Sequence, residues 1–332
     1  MTIPIMIAGL GYAVPKTVIT NNDLSEILDT SDEWISTRTG IKERRICSGE
    51  ENAVTLGVEA AKNALNKANL KGEEIQLVIA AASVPTKAYP STACLIQGAI
   101  GAKGAAAFDI TAACSGLVYA MSVARAFIES GAYENVLVVA TDANSKFVNW
   151  EERATCVLFG DGAGAMVLRK SPDGVNDILG LDILSDPTGA EYIELPITGK
   201  NCPLVEPNEQ KPLHVYMNGK EVYKFVVTKM PDSIIESVKK AGMTPEEIDY
   251  LVPHQANLRI IEAMAQRLNY SSDKVVVNIQ KYGNTSAASI PIAITEAIEE
   301  GKVKLPCKAI FTGFGAGMTC GTAIVNLREG IA

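Results

Sequence analysis

The sequence lacks the residue patterns on which most metal-binding and disulfide-stapled proteins depend. None of its seven cysteines forms a C-x-x-C pair, and it has two histidines in 332 residues. Zinc-finger and thioredoxin-like motifs are therefore absent. An odd number of cysteines in a chain of this length also argues against a disulfide framework. These absences predict a protein of a reducing compartment.

Excess positive charge and long apolar segments are absent as well. The formal net charge is −8 and the pI is about 5.1, which argues against general nucleic-acid binding but allows a small basic docking patch. Residues 1–14 contain no Lys or Arg, unlike a signal peptide. The central uncharged run, residues 110–124, is too short to span a bilayer. We therefore expect a cytoplasmic protein that binds neither nucleic acid nor membrane.

What the chain does contain is enough apolar sequence for a large core, since 47% of its residues are hydrophobic and 20% are charged. Short apolar runs typical of strands occur at 75–82, 105–110 and 136–140. Segments with helical periodicity alternate with these runs, such as 52–70 before the first run and 91–100 between the first and the second. This alternation predicts an α/β fold with a largely parallel sheet.

Two pairs of similar segments indicate an internal duplication. The pairs are 68–75 with 241–248, and 160–164 with 313–317. Because the repeat is about half the chain long, it predicts two similar halves, 1–171 and 172–332. We expect the glycine-rich stretch 155–168 to hold a strand pair. Residues 185–219 do not fit the repeat, and this Pro- and Gly-rich excursion is either part of the substrate entrance or a plain surface insertion.

Cys114 ends an apolar run and directly precedes a helical pattern, with apolar residues from Leu117 to Ile128. It is therefore predicted at an elbow between a buried strand and the N-terminus of a helix. Free backbone N–H groups and the helix dipole favour a thiolate at such a place. The alternative is a buried and inert cysteine.

The duplication predicts that two further residues lie near Cys114. His254 follows an apolar strand and precedes a helical segment, and Asn284 lies in a Gly-Asn turn of the second half. Each taken alone is more typical of a structural residue. A Cys, His and Asn set has two common uses. In cysteine hydrolases the histidine is a base, whereas in decarboxylating condensing enzymes His and Asn donate hydrogen bonds to a thioester carbonyl.

Three motifs in order along the chain decide between these uses. Residues 110–116 (ITAACSG), 252–259 (VPHQANLR) and 282–289 (YGNTSAAS) closely resemble those of the β-ketoacyl-acyl carrier protein synthase III family. Residues 31–41 and 159–165 extend the resemblance. The family comprises the initiating condensing enzymes of bacterial fatty-acid synthesis. The resemblance implies a thiolase-like fold, with two β-α halves packed in α-β-α-β-α layers.

The resemblance also implies a reaction. Cys114 would take the acyl group of a short acyl-CoA, first of all acetyl-CoA. His254 and Asn284 would then stabilise the enolate that forms when malonyl-acyl carrier protein loses CO2, giving acetoacetyl-acyl carrier protein. The backbone N–H groups of Cys114 and Ala316 would form an oxyanion hole, and Phe314 would provide an apolar surface. The coenzyme A thioester is a substrate, and no metal or prosthetic group is implied.

Substrate contacts follow from the same resemblance. Trp34 and Arg38, which are four residues apart on one helix face, would bind the adenine of coenzyme A together with Arg153. Gly219 and Asn257 would contact the rest of the coenzyme. The residues expected to dock the acidic carrier protein are Lys224, Gln255 and Arg259.

Tyr89 matches a residue that crosses a homodimer interface and closes the acyl pocket, which favours acetyl or propionyl primers. Cys320 stands where the family often has an aromatic residue.

The alternatives to a synthase III are a related enzyme that makes another product, such as a secondary-metabolite ketosynthase, a non-catalytic acyl-CoA binding protein, and a cysteine hydrolase. A thiolase is disfavoured because Gly313 and Phe314 stand where it needs a second cysteine.

Overall fold

The computed structural model describes residues 3–197, 199, 202–206 and 211–332. Elements of the first part are β1 Ile5–Ala13, β2 Thr17–Thr20, α1 Asn21–Ser25, α2 Asp32–Thr39, β3 Glu43–Ile46, α3 Ala53–Ala68, β4 Leu77–Ala81, α4 Thr92–Ala99, β5 Ala106–Ile110, α5 Gly116–Glu129, β6 Asn135–Ala143 and β7 Asp161–Lys170. Elements of the second part are β8 Ile178–Ser185, β9 Ile193–Glu194, β10 Tyr216–Met217, α6 Gly219–Lys240, β11 Tyr250–Pro253, α7 Leu258–Arg267, α8 Ile279–Tyr282, α9 Ser289–Glu299, β12 Cys307–Gly315 and β13 Thr319–Leu327.

The first large sheet has the strand order β1-β7-β6-β4-β5. Strand β4 is parallel to β5 and β6, whereas β7 is antiparallel to β1 and β6. The expectation of a largely parallel sheet is therefore correct only for its β6-β4-β5 side. The expected strand pair in 155–168 is wrong, because β7 is a single strand that finds its partners far away in the sequence.

The second large sheet has the order β11-β12-β13-β8 and is also mixed, with only β11 and β12 parallel. Two helices, α5 and α9, lie between the sheets. Their apolar side chains, such as Leu117, Met121, Ile290 and Ile294, share one core cluster with strand residues of both sheets. Full burial of each such side chain contributes about 1.5–3 kcal/mol, so this shared middle layer holds the sheets together.

The outer faces of both sheets are covered by further helices. Apolar residues of α3 and α4 pack on the first sheet, and residues of α6 and α7 pack on the second. The layers therefore alternate helix, sheet, helix, sheet and helix, which confirms the expected thiolase-like α/β architecture. Each large sheet takes its strands from one side of residue 171, and we propose that 1–171 and 172–332 are the two related halves.

The excursion 185–219 contains a short 3-10 helix, 187–192, and the two-stranded ribbon of β9 and β10. Positions 198, 200–201 and 207–210 of it lie outside the described residues. Within the described part of the chain, we find no helix with the length and apolar character needed to cross a membrane.

Candidate active site

The turn that carries Cys114 joins the carboxyl end of β5 to helix α5. It is a short 3-10 helix, Ala113–Ser115, and Ala113 adopts a left-handed φ of 45°. The Ser115 hydroxyl lies 2.7 Å from the Ala112 carbonyl oxygen and 2.8 Å from Thr319 Oγ1, which ties the turn to β13. The predicted strand-to-helix elbow is therefore present, and a contact with a strand of the second large sheet holds it.

Strand β12 passes directly against this turn. A Cβ atom built on Gly315 would lie 2.6 Å from the Cys114 nitrogen and 2.8 Å from the Ala113 Cβ atom. Only glycine permits this approach without a shift of the backbone. The glycine brings its neighbours Phe314 and Ala316 beside Cys114, where both line the same cavity.

His254 follows β11 and is 1% exposed. Its backbone N–H donates to the Thr312 carbonyl at 2.8 Å, and its Nδ1 atom lies 2.7 Å from Ser289 Oγ. The His254 and Phe314 rings pack edge to face, with 5.3 Å between their centroids. Burial lowers the pKa of His254 to about 3, because the surroundings disfavour the imidazolium. The imidazole is therefore neutral at physiological pH.

Asn284 is placed by a bend that requires glycine before it, since Gly283 has a φ of 62°. Its backbone N–H donates to the Leu158 carbonyl at 2.8 Å. Its side-chain Oδ1 accepts the Ser286 N–H at 2.8 Å. This bond fixes which way the amide is turned and leaves the Nδ2 donor for the cavity.

Cys114, His254 and Asn284 line one cavity of about 390 Å³. The cavity is also lined by residues of the excursion, among them Ile193, Leu195, Val215 and Met217, so that segment forms part of the cavity wall. A larger cavity of about 800 Å³ lies beside α7 and is lined by none of the three residues. The arrangement can present a sulfur nucleophile and two neutral hydrogen-bond donors to one bound substrate.

The protonation state of Cys114 differs from the sequence-based expectation. Burial raises the pKa of its thiol to about 12, and the charge of Asp142 acts in the same direction. The Ser286 side chain lowers it, but less strongly. The helix N-terminus was expected to favour a thiolate, and burial opposes this because it disfavours the charged form of the group. The resting group is a thiol.

Trp34 lies on α2, with two guanidinium groups against its ring. The Arg38 Cζ atom is 4.6 Å from the ring centroid and that of Arg153 is 4.8 Å away. Arg153 also donates to the Asp29 carbonyl and lies 3.5 Å from an Asp29 carboxylate oxygen. The three predicted adenine contacts are thus together, as a flat cationic platform.

Comparison with known proteins decides the family. Residues 108–187 match the family model described as 3-oxoacyl-[acyl-carrier-protein] synthase III, and residues 238–327 match the model of its C-terminal part. The β-ketoacyl-[acyl-carrier-protein] synthase III of Caldanaerobacter subterraneus is 47% identical over 321 residues, which cover 96% of this chain and 97% of the relative. The chain belongs to the β-ketoacyl-[acyl-carrier-protein] synthase III family.

Solved structures agree with this assignment. The crystal structure of the synthase III from Aquifex aeolicus has a TM-score of 0.89 and 49% identity, over 97% of this chain and 99% of that one. The priming β-ketosynthase of the R1128 polyketide biosynthetic pathway has a TM-score of 0.91 and 32% identity, over 98% of this chain and 97% of that one.

The residues expected from the sequence to dock the acyl carrier protein differ in their exposure to solvent. Lys224 and Arg259 are exposed, and Arg259 Nη2 donates to the Thr37 carbonyl at 2.7 Å. Gln255 was wrongly expected there. It is 1% exposed, and its side chain bonds to the backbone of Pro253, Val276 and Asn278. Its amide therefore holds the turn after β11 and cannot contact a docked protein.

The expected coenzyme contacts Gly219 and Asn257 both line the cavity. Gly219 opens helix α6 and has open space where a side chain would be. Asn257 caps helix α7, with Oδ1 accepting from the Arg259 N–H at 2.9 Å and Nδ2 donating to the Arg38 carbonyl at 3.1 Å. Asn257 therefore connects the cavity to the helix that bears Trp34.

Tyr89, which was expected to close the acyl pocket, and Cys320, which stands where the family often has an aromatic residue, lie in different surroundings. Tyr89 is 87% exposed and is not among the described residues that line the cavity of its own chain. Cys320 is buried opposite Phe314 in the β12-β13 ladder and packs with Met318 and Val226. Cys320 thus lies next to Phe314, which lines the cavity.

Sequence reasoning missed three polar residues of the site: Asp142, Ser286 and Ser289. Asp142 follows the apolar core of β6, and such a carboxylate at the end of a buried strand was an available signal. Ser286 and Ser289 are inside the motif that carries Asn284. Ser289 matters because it contacts His254, and Ser286 because it contacts Cys114 and Asp142. The motif alone does not show these contacts.

Proposed function

We propose that this chain catalyses the condensation of a short acyl-CoA, first of all acetyl-CoA, with malonyl-acyl carrier protein. The product is a β-ketoacyl-acyl carrier protein, the first condensation product of fatty-acid synthesis. The observation that carries the proposal is the convergence of Cys114, His254 and Asn284 on one cavity. Family membership over nearly the whole chain supports it.

In the first half-reaction the Cys114 sulfur attacks the thioester carbonyl, and coenzyme A leaves. The backbone N–H groups of Cys114 and Ala316 stabilise the tetrahedral oxyanion, an effect of about 2.7–4 kcal/mol per donor in comparable enzymes. The nucleotide of coenzyme A binds at Trp34, Arg38 and Arg153. Its pantetheine arm passes along the side of the cavity that Gly219 and Asn257 line.

In the second half-reaction malonyl-acyl carrier protein takes the place of coenzyme A. His254, through Nε2, and Asn284, through Nδ2, donate to the thioester oxygen and stabilise the enolate formed as CO2 leaves. The enolate carbon then bonds to the acyl carbon, and the Cys114 sulfur leaves that carbon and regains a proton. A neutral imidazole suits this role because it donates a hydrogen bond without taking a proton from the substrate. Phe314 keeps the malonyl carboxylate in apolar surroundings, which favours loss of its charge as CO2.

Partners follow from the exposed residues. Lys224 and Arg259 contact the acidic carrier protein, because a local basic patch can steer an acidic partner to a protein of net negative charge. Tyr89 reaches the acyl pocket of a second copy, so the enzyme works as a homodimer. We place the reaction in the cytoplasm, where its coenzyme A and carrier-protein substrates meet.

Intact-mass analysis after mixing with acetyl-CoA tests the nucleophile. One acetyl adduct is expected on the unmodified enzyme and none on Cys114→Ser, and adding malonyl-acyl carrier protein should convert the adduct to acetoacetyl-acyl carrier protein. An adduct that persists in the serine variant would contradict the assignment.

A second candidate, a priming ketosynthase of polyketide synthesis, is favoured by the similarity to the R1128 protein. Steady-state rates with acetyl-, isobutyryl- and octanoyl-CoA separate the two. A marked preference for acetyl-CoA supports the fatty-acid role, and a preference for a longer or branched primer supports the second candidate.

A further inference from the structure

Asp142 is a buried carboxylate beside the nucleophile that the reaction described so far does not use. It lies near the end of β6 and is 0% exposed. Its Oδ1 atom accepts the N–H groups of Ser83 at 2.7 Å and Val84 at 3.1 Å. Among the described residues its Oδ2 atom has no hydrogen bond of good geometry, although the Ser286 side chain and the Ala287 N–H are neighbours of the carboxylate. Burying an unpaired carboxylate oxygen is costly, so this atom calls for a functional explanation.

Ser286 connects Asp142 to Cys114. The 3-10 turn Ser286–Ala288 packs against both β6 and the turn that carries Cys114. The Ser286 side chain is a hydrogen-bonding neighbour of both the Cys114 thiol and the Asp142 carboxyl, and it lowers the pKa of each group. Ser286 is buried and has a left-handed φ of 54°. Strain of this kind in a residue other than glycine is typical of functional sites.

No other charged group accounts for Asp142 within the described residues around it. Strand β4 contributes apolar side chains, β7 places Gly162 opposite Asp142, and α5 begins with glycine. Asp161, the neighbouring acid on β7, is already bound by Ser145 and by the Cys47 N–H. The titratable group that senses the charge of Asp142 is Cys114.

His254 is a poor acceptor for the thiol proton. Its Nδ1 atom is engaged with Ser289 Oγ, and burial lowers the pKa of the ring to about 3. Burial acts on Asp142 in the opposite sense and raises the pKa of its carboxyl to about 6. At neutral pH Asp142 is therefore ionised, and it is more basic than His254.

We propose that Asp142 receives the proton of Cys114 through the hydroxyl of Ser286 during acyl transfer from coenzyme A. The inference rests on the proposed function. As the Cys114 sulfur bonds to the acyl carbon, its proton passes to Ser286 Oγ and the Ser286 proton passes to Asp142 Oδ2. When the bond from the acyl carbon to the coenzyme A sulfur breaks, the proton returns along the same path and coenzyme A leaves as a thiol. One negative charge moves between Asp142 and the reacting sulfur, and no further reactant is needed.

The test is the rate of coenzyme A release from acetyl-CoA in single-turnover experiments without malonyl donor, between about pH 5 and pH 9. For the unmodified enzyme we expect the rate to fall as Asp142 takes up a proton near pH 6. Asp142→Asn keeps the Oδ1 acceptor for Ser83 and Val84. Coenzyme A release by this variant should be about a hundredfold slower at pH 7, and its rate should not show the fall near pH 6, which is called the acid limb. Ser286→Ala should lose the limb as well.

Two controls separate a proton path from a damaged fold. Asp177→Asn removes another buried carboxylate, which is paired with Arg328 in a different part of the molecule, and it should keep the unmodified pH profile. Loss of CO2 from malonyl-acyl carrier protein, measured on Asp142→Asn without an acyl donor, should proceed at close to the unmodified rate, since that step moves no proton at Cys114.

The possible failures are distinguishable. If the unmodified enzyme takes no acetyl group, the proposed function fails. If it does, and Asp142→Asn retains both the rate and the acid limb, the proton path is overturned. Equal slowing of acyl transfer and of CO2 loss in Asp142→Asn would overturn it too, because it indicates a general distortion of the site.

Discussion

Nδ1 of His254 lies 2.7 Å from the hydroxyl oxygen of Ser289. The same oxygen accepts the Gln255 N–H at 3.2 Å. Among the described residues, His254 Nδ1 is the atom near the Ser289 hydroxyl that can accept its proton in a hydrogen bond. Ser289 therefore donates to Nδ1, which leaves the ring proton of the neutral imidazole on Nε2. This tautomer is the one that a hydrogen-bond donor to a thioester carbonyl requires.

Ser289→Ala should consequently impair condensation rather than acylation. Without the hydroxyl the ring is free to turn and to carry its proton on Nδ1, and loss of one such hydrogen bond corresponds to about a tenfold decrease in kcat. The measurement compares coenzyme A release with condensation by preformed acyl-enzyme. Ser289→Thr, which keeps the hydroxyl, is the control. Equal slowing of both steps in Ser289→Ala would contradict the assigned role.

The low pKa of His254 predicts a pH dependence of stability. With a pKa of about 3 in the folded protein and about 6.5 when unfolded, only the unfolded chain binds this proton between those values. The free energy of unfolding should therefore fall as the pH drops through this window, by about 2 kcal/mol between pH 7 and pH 5 from this group alone.

Urea unfolding of the unmodified protein and of His254→Asn measures that contribution. The comparison between the two is needed because the pKa of Asp142 is raised to about 6. Its protonation therefore stabilises the folded protein as the pH falls over the same range. The variant should lose less stability than the unmodified protein between pH 7 and pH 5. Parallel stability curves would mean that His254 titrates normally.

Gly315→Ala should damage the site through the backbone. The added methyl group would meet the Cys114 nitrogen at 2.6 Å, so either the Cys114 turn or β12 must move. We expect a loss of about 1–3 kcal/mol in stability and a decrease in acylation rate. Thermal unfolding and the acetyl-adduct assay check both effects.

Gly98→Ala is the matched control, because nothing lies within 4 Å of the added atom in helix α4. It should be neutral or stabilising by up to about 1 kcal/mol. If the two variants behave alike, the close approach at Gly315 does not position Cys114.

Arg38→Ala should weaken recognition of coenzyme A without changing the chemistry. The guanidinium 4.6 Å from the Trp34 ring helps to form the platform for the adenine, and loss of about 1 kcal/mol predicts a KM for acetyl-CoA about fivefold higher at unchanged kcat. Acetyl-pantetheine, which lacks the nucleotide, is the control substrate. An equal effect on both substrates would place Arg38 outside the nucleotide site.

Several features followed from local sequence alone. Asn52 caps α3, and Ser91 caps α4, at the points where the periodic segments were predicted to begin. Cys114 lies at the predicted elbow before α5. Such signals succeed because helix periodicity and capping depend on residues within one or two turns of each other. The motifs around Cys114, His254 and Asn284 were also sufficient to recognise the family.

Tertiary structure decided what each side chain experiences. Gln255 belongs to a recognised motif, but burial against Pro253, Val276 and Asn278 makes it structural. The Cys114 thiol has a raised pKa because chain segments distant in sequence remove it from water. Asp142 and Ser286 come beside it only when β6 packs against the turn after Asn284. Desolvation and charge coupling depend on neighbours in space, and a linear pattern of residues does not specify them.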